Sequence, residues 1–251
     1  MDLAADCTSN LVVDKLFSVA EDGNYVAVHE LLDRFEHRFH SLANERDLDD
    51  DTPLIVSAMA GRLQVVEVLL ARGARVNTAG CSGRTALHCA AFEGRVDVVE
   101  RLLQCADILV AIEDSICETP LHKAASNGHL RIVQLLLASM RAKADAVAFR
   151  TYSRPHRLSQ GEATFYRLLD RQNFLGCTAL HNAAQHSHLA VVEALLNHGA
   201  DIQSTDVFDL TPLQLVENLM HADSEKRFAC IALLREHLRL RVHGADADVD
   251  Q

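Results

Sequence analysis

Five times along this chain a threonine is followed by proline or alanine and then by leucine: Thr52-Pro53-Leu54, Thr85-Ala86-Leu87, Thr119-Pro120-Leu121, Thr178-Ala179-Leu180 and Thr211-Pro212-Leu213. The threonines are 33, 34, 59 and 33 residues apart. A second marker keeps the same register. A Leu-Leu pair begins 15 residues after the motif leucine at Leu69, Leu102, Leu136 and Leu195, and 20 residues after it at Leu233. A weaker copy starts near Leu16 and has its pair at Leu31-Leu32. Two markers in step at a fixed period describe one supersecondary unit repeated. Such a unit cannot bury its apolar face alone, so the chain is constrained to fold by stacking neighbours.

Each copy carries the same physical parts. Threonine suits an N-cap, because its hydroxyl can accept from a free backbone N–H of the first turn. Proline fits the first helical position, where a missing N–H leaves nothing unpaired. A short helix of small residues follows, as in "LHCAAFE" and "LHKAASN". Gly23, Gly61, Gly94 and Gly128 come next and can end that helix in a left-handed conformation. A second helix such as "LQVVEVLLARG" has apolar residues at helical spacing and ends at Gly73 or, in a later copy, at Gly199. Aromatics are only 5% of the chain and tryptophan is absent, so the core is expected to be Leu, Val and Ala. Leu103, in the middle of the series, is expected to be a core residue.

The period of about 33 and the Thr-Pro-Leu-His-x-Ala pattern resemble the ankyrin repeat family. "GARVNTAGCSGRTALHCAAFEGRVDVVERLL" and "TALHNAAQHSHLAVVEALLNHGADIQ" carry the resemblance most closely. It implies an all-α solenoid of helix-turn-helix units joined by short β-hairpin loops. The expected organisation is a single array over 1–244, with repeats near 12–47, 48–80, 81–114, 115–173, 174–206 and 207–243 and an acidic tail at 245–251. The structural positions are Thr52, Thr85, Thr119, Thr178 and Thr211, with the histidines His88, His122 and His181. In the family that histidine ties the helix start to nearby backbone.

This settles how His88-Cys89 is to be read. The histidine recurs at His122 and His181, while its neighbour changes from Cys89 to Lys123 to Asn182. A reactive pair would not vary one partner freely, so the pair is expected to be scaffolding. Asp47, Asp49 and Asp51 alternate as in a calcium loop, but the required glycine and glutamate are replaced by Thr52 and Ala58. His181, His186 and His188 look like a cluster, yet two of them fill repeat positions. No phosphate-binding glycine loop or nucleophile elbow is present. The expectation is therefore no enzyme activity, no metal and no cofactor.

The seven cysteines are odd in number and scattered, as free thiols in a reducing compartment would be. The start lacks the apolar core of a signal peptide, and no apolar run nears a membrane span. The cytoplasm and the nucleus are the expected compartments. A net charge of −11 argues against nucleic acid as a partner, and no membrane association is expected. Residues 1–60 hold 13 acidic and 4 basic side chains, whereas 141–171 hold 7 basic and 3 acidic.

That basic stretch lies in a 26-residue excess within the fourth copy, about 141–167. Ser159 and Glu162 read as a capping box, which predicts a short helix near 160–169. The insertion could meet a partner through Arg150, Arg154 and Arg157, be silent, or pack back on the array. Because it lies outside the repeat markers, it is expected to be dispensable for folding. Arg150-Thr-Tyr-Ser153 also resembles a site for a basophilic kinase.

The resemblance implies that partners are gripped by the tips between repeats and by the exposed ends of the first helices. Mapped here, these are Leu48, Asp49, Met59, Arg84, Phe92, Glu93, Ile116, Asn127, Phe174, Leu175, Gln185, His186, Val207 and Phe208. Phe92, Phe174 and Phe208 are notable, because tips are normally polar. Exposed aromatics suit an interface, with packing between adjacent tips as the competing explanation. The function expected is non-catalytic protein binding, as a scaffold, adaptor or inhibitor that is monomeric by itself. The alternatives are an assembly chaperone resembling gankyrin, the ankyrin protein of the proteasome, or the targeting subunit of an enzyme on another chain.

Overall fold

The computed structural model describes residues 3–35, 42–150, 160–218 and 224–246, with parts of the longest helices by backbone alone. The chain forms two compact units, Met1–Ser115 and Ile116–Gln251. In the first unit, α1 (Leu3–Asp22), α3 (Pro53–Ala60) and α5 (Ala86–Phe92) stack as one layer. The layer behind it is α2 (Tyr25–Phe35), α4 (Leu63–Ala71) and α6 (Val96–Leu103). In the second unit, α7 (Pro120–Ser126), α10 (Ala179–Gln185) and α12 (Pro212–Asn218) form the first layer. Behind them are α8 (Leu130–Arg150), α11 (Leu189–Asn197) and α13 (Ser224–Asp246), with the inserted α9 (Gln160–Leu169) against α8. The fold is all-α, as the repeat predicted.

The helices start where threonine caps them. Thr52 Oγ1 accepts from the Ile55 N–H and Thr178 Oγ1 from the His181 N–H, both at 3.4 Å. Small residues then do what the close stacking requires: Ala90, Ala91, Ala124, Ala125, Ala183 and Ala184 are fully buried where first helices meet. Second helices bury Val65, Val66 and Leu69, then Val98, Val99 and Leu102. Leu102, not Leu103, faces the core of α6. Adjacent helical residues point about 100° apart, so the second leucine of a pair turns toward the edge and Leu103 is only half-buried.

The connections between copies are not strands. Among the described residues the only β-type pairing is an isolated antiparallel bridge from Ala79 to Thr85. Four of the connections hold a five-residue turn with a backbone bond from its first residue to its fifth, such as Gly80 N–H to the Arg84 carbonyl at 3.0 Å. Helix caps follow at once, so too few residues flank the turn to extend a ladder.

Glycine has a second task here beyond ending a helix. Arg62 Nε crosses Gly23 and donates to the Glu21 carbonyl at 2.8 Å. Arg95 Nε crosses Gly61 to the Met59 carbonyl at 3.1 Å, and His188 Nε2 crosses Gly128 to the Ser126 carbonyl at 3.0 Å. In each case the residue that opens one repeat's second helix reaches over the preceding repeat's glycine. It bonds a carbonyl at the end of that repeat's first helix, which the helix itself leaves unpaired.

The insertion is not outside the core. α8 runs 21 residues against 9 for α4 and α11, and α9 folds back along it. Phe165 is only 1% exposed, as buried as Met140, Ala144 and Leu169 of this helical pair, and the Arg141 guanidinium sits 5.0 Å from its ring. Leu169 and Asp170 then rejoin the repeat register, nine and eight residues before Thr178, as Val76 and Asn77 precede Thr85. Asp170 Oδ1 accepts from Asp201 N–H at 2.8 Å, just as Asn77 Oδ1 accepts from Leu109 N–H at 2.9 Å. The expectation of a dispensable loop fails because an amphipathic helix needs an apolar face to pack on, and the lengthened α8 supplies it.

Candidate interaction surface

Three of the turns between repeats are each built by one polar side chain. Asp47 Oδ1 accepts the backbone N–H groups of Asp49 and Asp51, at 3.0 and 2.9 Å. Asn173 does the same for Leu175 and Cys177, and Asp206 for Phe208 and Leu210. The fourth turn residue takes a positive φ: 59° at Asp50, 72° at Gly83, 59° at Cys117, 72° at Gly176 and 57° at Asp209. This local geometry leaves the second and third residues of each turn at the outermost point. Asp47 Oδ1 thereby serves its own turn.

Those outermost residues are the ones the sequence nominated. In the second unit Ile116, Phe174, Leu175, Val207 and Phe208 are all exposed, Phe174 at 75% and Phe208 at 71%. They are not packed away between tips. Backbone bonds knit the turns together: Phe174 N–H donates to the Ile116 carbonyl and Val207 N–H to the Leu175 carbonyl, each at 3.0 Å. The result is an apolar ridge over three successive turns. In the first unit Leu48, Met59 and Phe92 are also exposed, beside Asp49, Glu93 and Arg84. Arg84 Nε donates to Ser82 Oγ at 2.7 Å. Asn127, Gln185 and His186 are exposed at the ends of their first helices. The side chains of Arg150, Arg154 and Arg157, and Ser153, lie outside the described residues.

Beneath the ridge is a cluster that sequence reasoning missed. Glu118 accepts from Lys123 Nζ through one carboxylate oxygen, and from Asn173 Nδ2 at 3.1 Å and Asn182 Nδ2 at 3.2 Å through the other. Burial pushes the Glu118 carboxyl up, but these three donors outweigh it and hold its pKa below the ordinary value. One anion thus binds two turns and two helices. Glu118 is the tie that sets the tips in place. No short-range pattern signals it, since Asn182 is 64 residues away.

The repeat histidines are equally committed. Thr119 N–H donates to His122 Nδ1 at 3.2 Å, and His122 Nε2 donates to the Cys177 carbonyl at 3.1 Å. His181 bonds Thr178 N–H at 3.1 Å and the Leu210 carbonyl at 3.1 Å, and His88 bonds Thr85 N–H at 3.2 Å. Accepting at Nδ1 and donating at Nε2 requires the neutral ring. Burial pushes the His122 and His181 pKa values below the ordinary histidine range. In the last copy Gln214 replaces the histidine: Thr211 N–H donates to its side-chain oxygen at 2.9 Å. His186 and His188 are stacked with ring centroids 6.0 Å apart. Among the described residues no three His, Cys, Asp or Glu side chains are grouped to hold a metal ion. The described cysteines are free thiols, and burial raises Cys177 and Cys230 to about 11.

Stacked helix pairs, capped by threonine and histidine and presenting variable turns, define a repeat protein of the interaction-module class. The chain belongs to the ankyrin repeat family: the family model matches three times, over residues 16–114, 83–149 and 105–206. Similar proteins include a probable E3 ubiquitin-protein ligase, XBOS33, of Oryza sativa subsp. japonica, 30% identical over 227 residues, which are 84% of this chain and 42% of that protein. Another is the E3 ubiquitin-protein ligase XBAT33 of Arabidopsis thaliana, 28% identical over 81% of this chain and 39% of that protein. A third is a homologue of the transient receptor potential cation channel subfamily A member 1 in Caenorhabditis elegans, 25% identical over 75% of this chain and 16% of that protein. The chain spans less than half the length of each. Among the described residues no helix is long and apolar enough to cross a membrane.

Proposed function

We propose that the chain is a non-catalytic protein-binding module, working in the cytoplasm or nucleus, and that the ridge of Ile116, Phe174, Leu175, Val207 and Phe208 is its main contact. The exposure of these five side chains on hydrogen-bonded turns carries the reading. Contiguous exposed apolar surface is uncommon on soluble proteins and marks interaction sites. The ridge is held rigidly by Glu118 and the turn bonds, so little ordering entropy opposes binding. Met59, Phe92 and their polar neighbours offer a second contact on the first unit. Arg150, Arg154 and Arg157 remain candidates for an acidic portion of the partner.

The test is affinity capture from cell extract with the unaltered chain and with Phe174→Ser/Phe208→Ser. Proteins captured by the first and lost from the second, with an unchanged unfolding midpoint, support the reading. An identical set of captured proteins overturns it.

The relatives favour one specific use of this module. Two of them are ubiquitin-protein ligases of more than twice this chain's span. In that setting the chain would choose the target and a separate catalytic part would modify it. Capture of a ubiquitin ligase together with a second, ridge-dependent protein would support this use.

A further inference from the structure

The chain holds four lysines, Lys15, Lys123, Lys143 and Lys226, against twenty arginines. Lysine is ordinarily among the commonest residues, so the positive charge here sits to an unusual degree on guanidinium groups. Local structure explains part of this. Arg62, Arg84 and Arg95 each donate through Nε, an atom that lysine lacks. It does not explain Arg167 and Arg239, which are exposed on helices where lysine would serve as well. The few lysines also stay off the surface that meets partners. The turns at 46–51, 80–84, 114–118, 173–177 and 206–210 hold none, and their cations are Arg46 and Arg84. Lys123 is only 11% exposed, with its Nζ bound to Glu118. Lys143 is half-buried on α8, while Lys15 on α1 and Lys226 on α13 are exposed.

The two cations differ in one chemical respect that matters to a ubiquitin ligase. A lysine amine, once deprotonated, is a nucleophile, whereas the guanidinium of arginine stays protonated and delocalised. In ubiquitin transfer the amine attacks the carbonyl that joins the C-terminus of ubiquitin to a carrier cysteine. An N–C bond forms, the C–S bond breaks, and the amine proton ends on the departing thiol. A catalytic part that reaches a partner held on the turns reaches the turns as well, so an amine there would compete with those of the partner. We propose that the turn face is free of amines so that ubiquitin passes to the bound partner and not to this chain, which leaves Lys15 and Lys226 as the chain's own exposed acceptors. This inference rests on the ligase setting proposed above.

The test places an amine on that face. Arg84 and Ser115 are exposed there, on successive turns of the first unit. The unaltered chain, Arg84→Lys and Ser115→Lys are each recovered from cells with the proteasome blocked. Ubiquitin at every lysine is measured by mass spectrometry of tryptic peptides, and the same preparations are searched for a ubiquitin ligase. The new amine at position 84 or 115 should carry about tenfold more ubiquitin than Lys15 of the same molecule, because the tethered catalytic part gives it a high effective concentration. The unaltered chain should be modified weakly, at Lys15 and Lys226. If a ligase is recovered but the new amines are modified no more than Lys15, the proposal is overturned and the ligase setting stands. If modification rises equally at Lys15 and Lys226, the variants are being marked as unfolded protein, which overturns it too. If no ligase is recovered, the ligase setting fails and this inference fails with it.

Discussion

Arg95 lies across Gly61: its Nε donates to the Met59 carbonyl at 3.1 Å, and its Cδ stands 2.8 Å from where a β-carbon on Gly61 would be. The same glycine has φ 74° and ends α3. Two demands therefore meet at one residue, the left-handed backbone and the passage of the neighbouring side chain.

Gly73 separates these demands. It also has a positive φ, 80°, but nothing lies within 4 Å of its missing β-carbon. Gly73→Ala should lose only the backbone preference, about 1 kcal/mol. Gly61→Ala should lose roughly 2–3 kcal/mol, because Arg95 must also give up its bond. Urea titrations of the two variants check the difference, and equal midpoints would mean that the arginine contributes nothing.

Phe165→Ala should destabilise the second unit by about 3–5 kcal/mol, the range for a buried phenylalanine. Arg167→Ala, on the exposed side of the same helix, should change stability by less than about 0.5 kcal/mol. Circular dichroism during denaturation distinguishes this from a loop insertion, where both changes would be silent.

Stability should fall as the pH drops below about 6.5, the ordinary histidine value. His122 and His181 have folded pKa values below that of the unfolded chain. Between the two values the unfolded state binds more protons, so lowering the pH favours unfolding. The stabilisation is complete above about 6.5 and is lost progressively below it. Unfolding free energies measured from pH 7.5 down to 5 should show a shallower fall in His122→Gln/His181→Gln than in the unaltered chain. Parallel curves would mean that these two rings titrate alike in both states.

Glu118→Gln should weaken the second unit by about 1–3 kcal/mol, since Lys123 loses its anion and one amide oxygen must replace a carboxylate serving Asn173 and Asn182. The folded pKa of Glu118 is depressed, so its contribution is present above the unfolded value near 4.5 and disappears as the pH falls through the folded one. The gap between the two proteins should therefore close in acid. A gap that stays constant from neutral pH down to the lowest pH at which both proteins remain folded would assign the loss to packing instead of charge.

The sequence by itself determined the period and the capped starts of the first helices, while the histidine's role and the tip positions are what the resemblance to ankyrin repeats implied. All of these rest on local rules: a cap acts over three residues, and a turn over five. It also predicted a helix near 160–169, where α9 lies, although the side chains of Ser159 and Glu162 fall outside the described residues. Only the tertiary structure decided what lies between copies. Arg95 meets Met59, 36 positions earlier, and Glu118 meets Asn182, 64 positions later, because stacking brings successive units together. The fate of the insertion was decided in the same way: Phe165 is buried because α8 runs on beyond its usual length and offers it a face. Contacts of this kind depend on which surfaces face each other, and a pattern read along one chain does not contain that until the units are stacked.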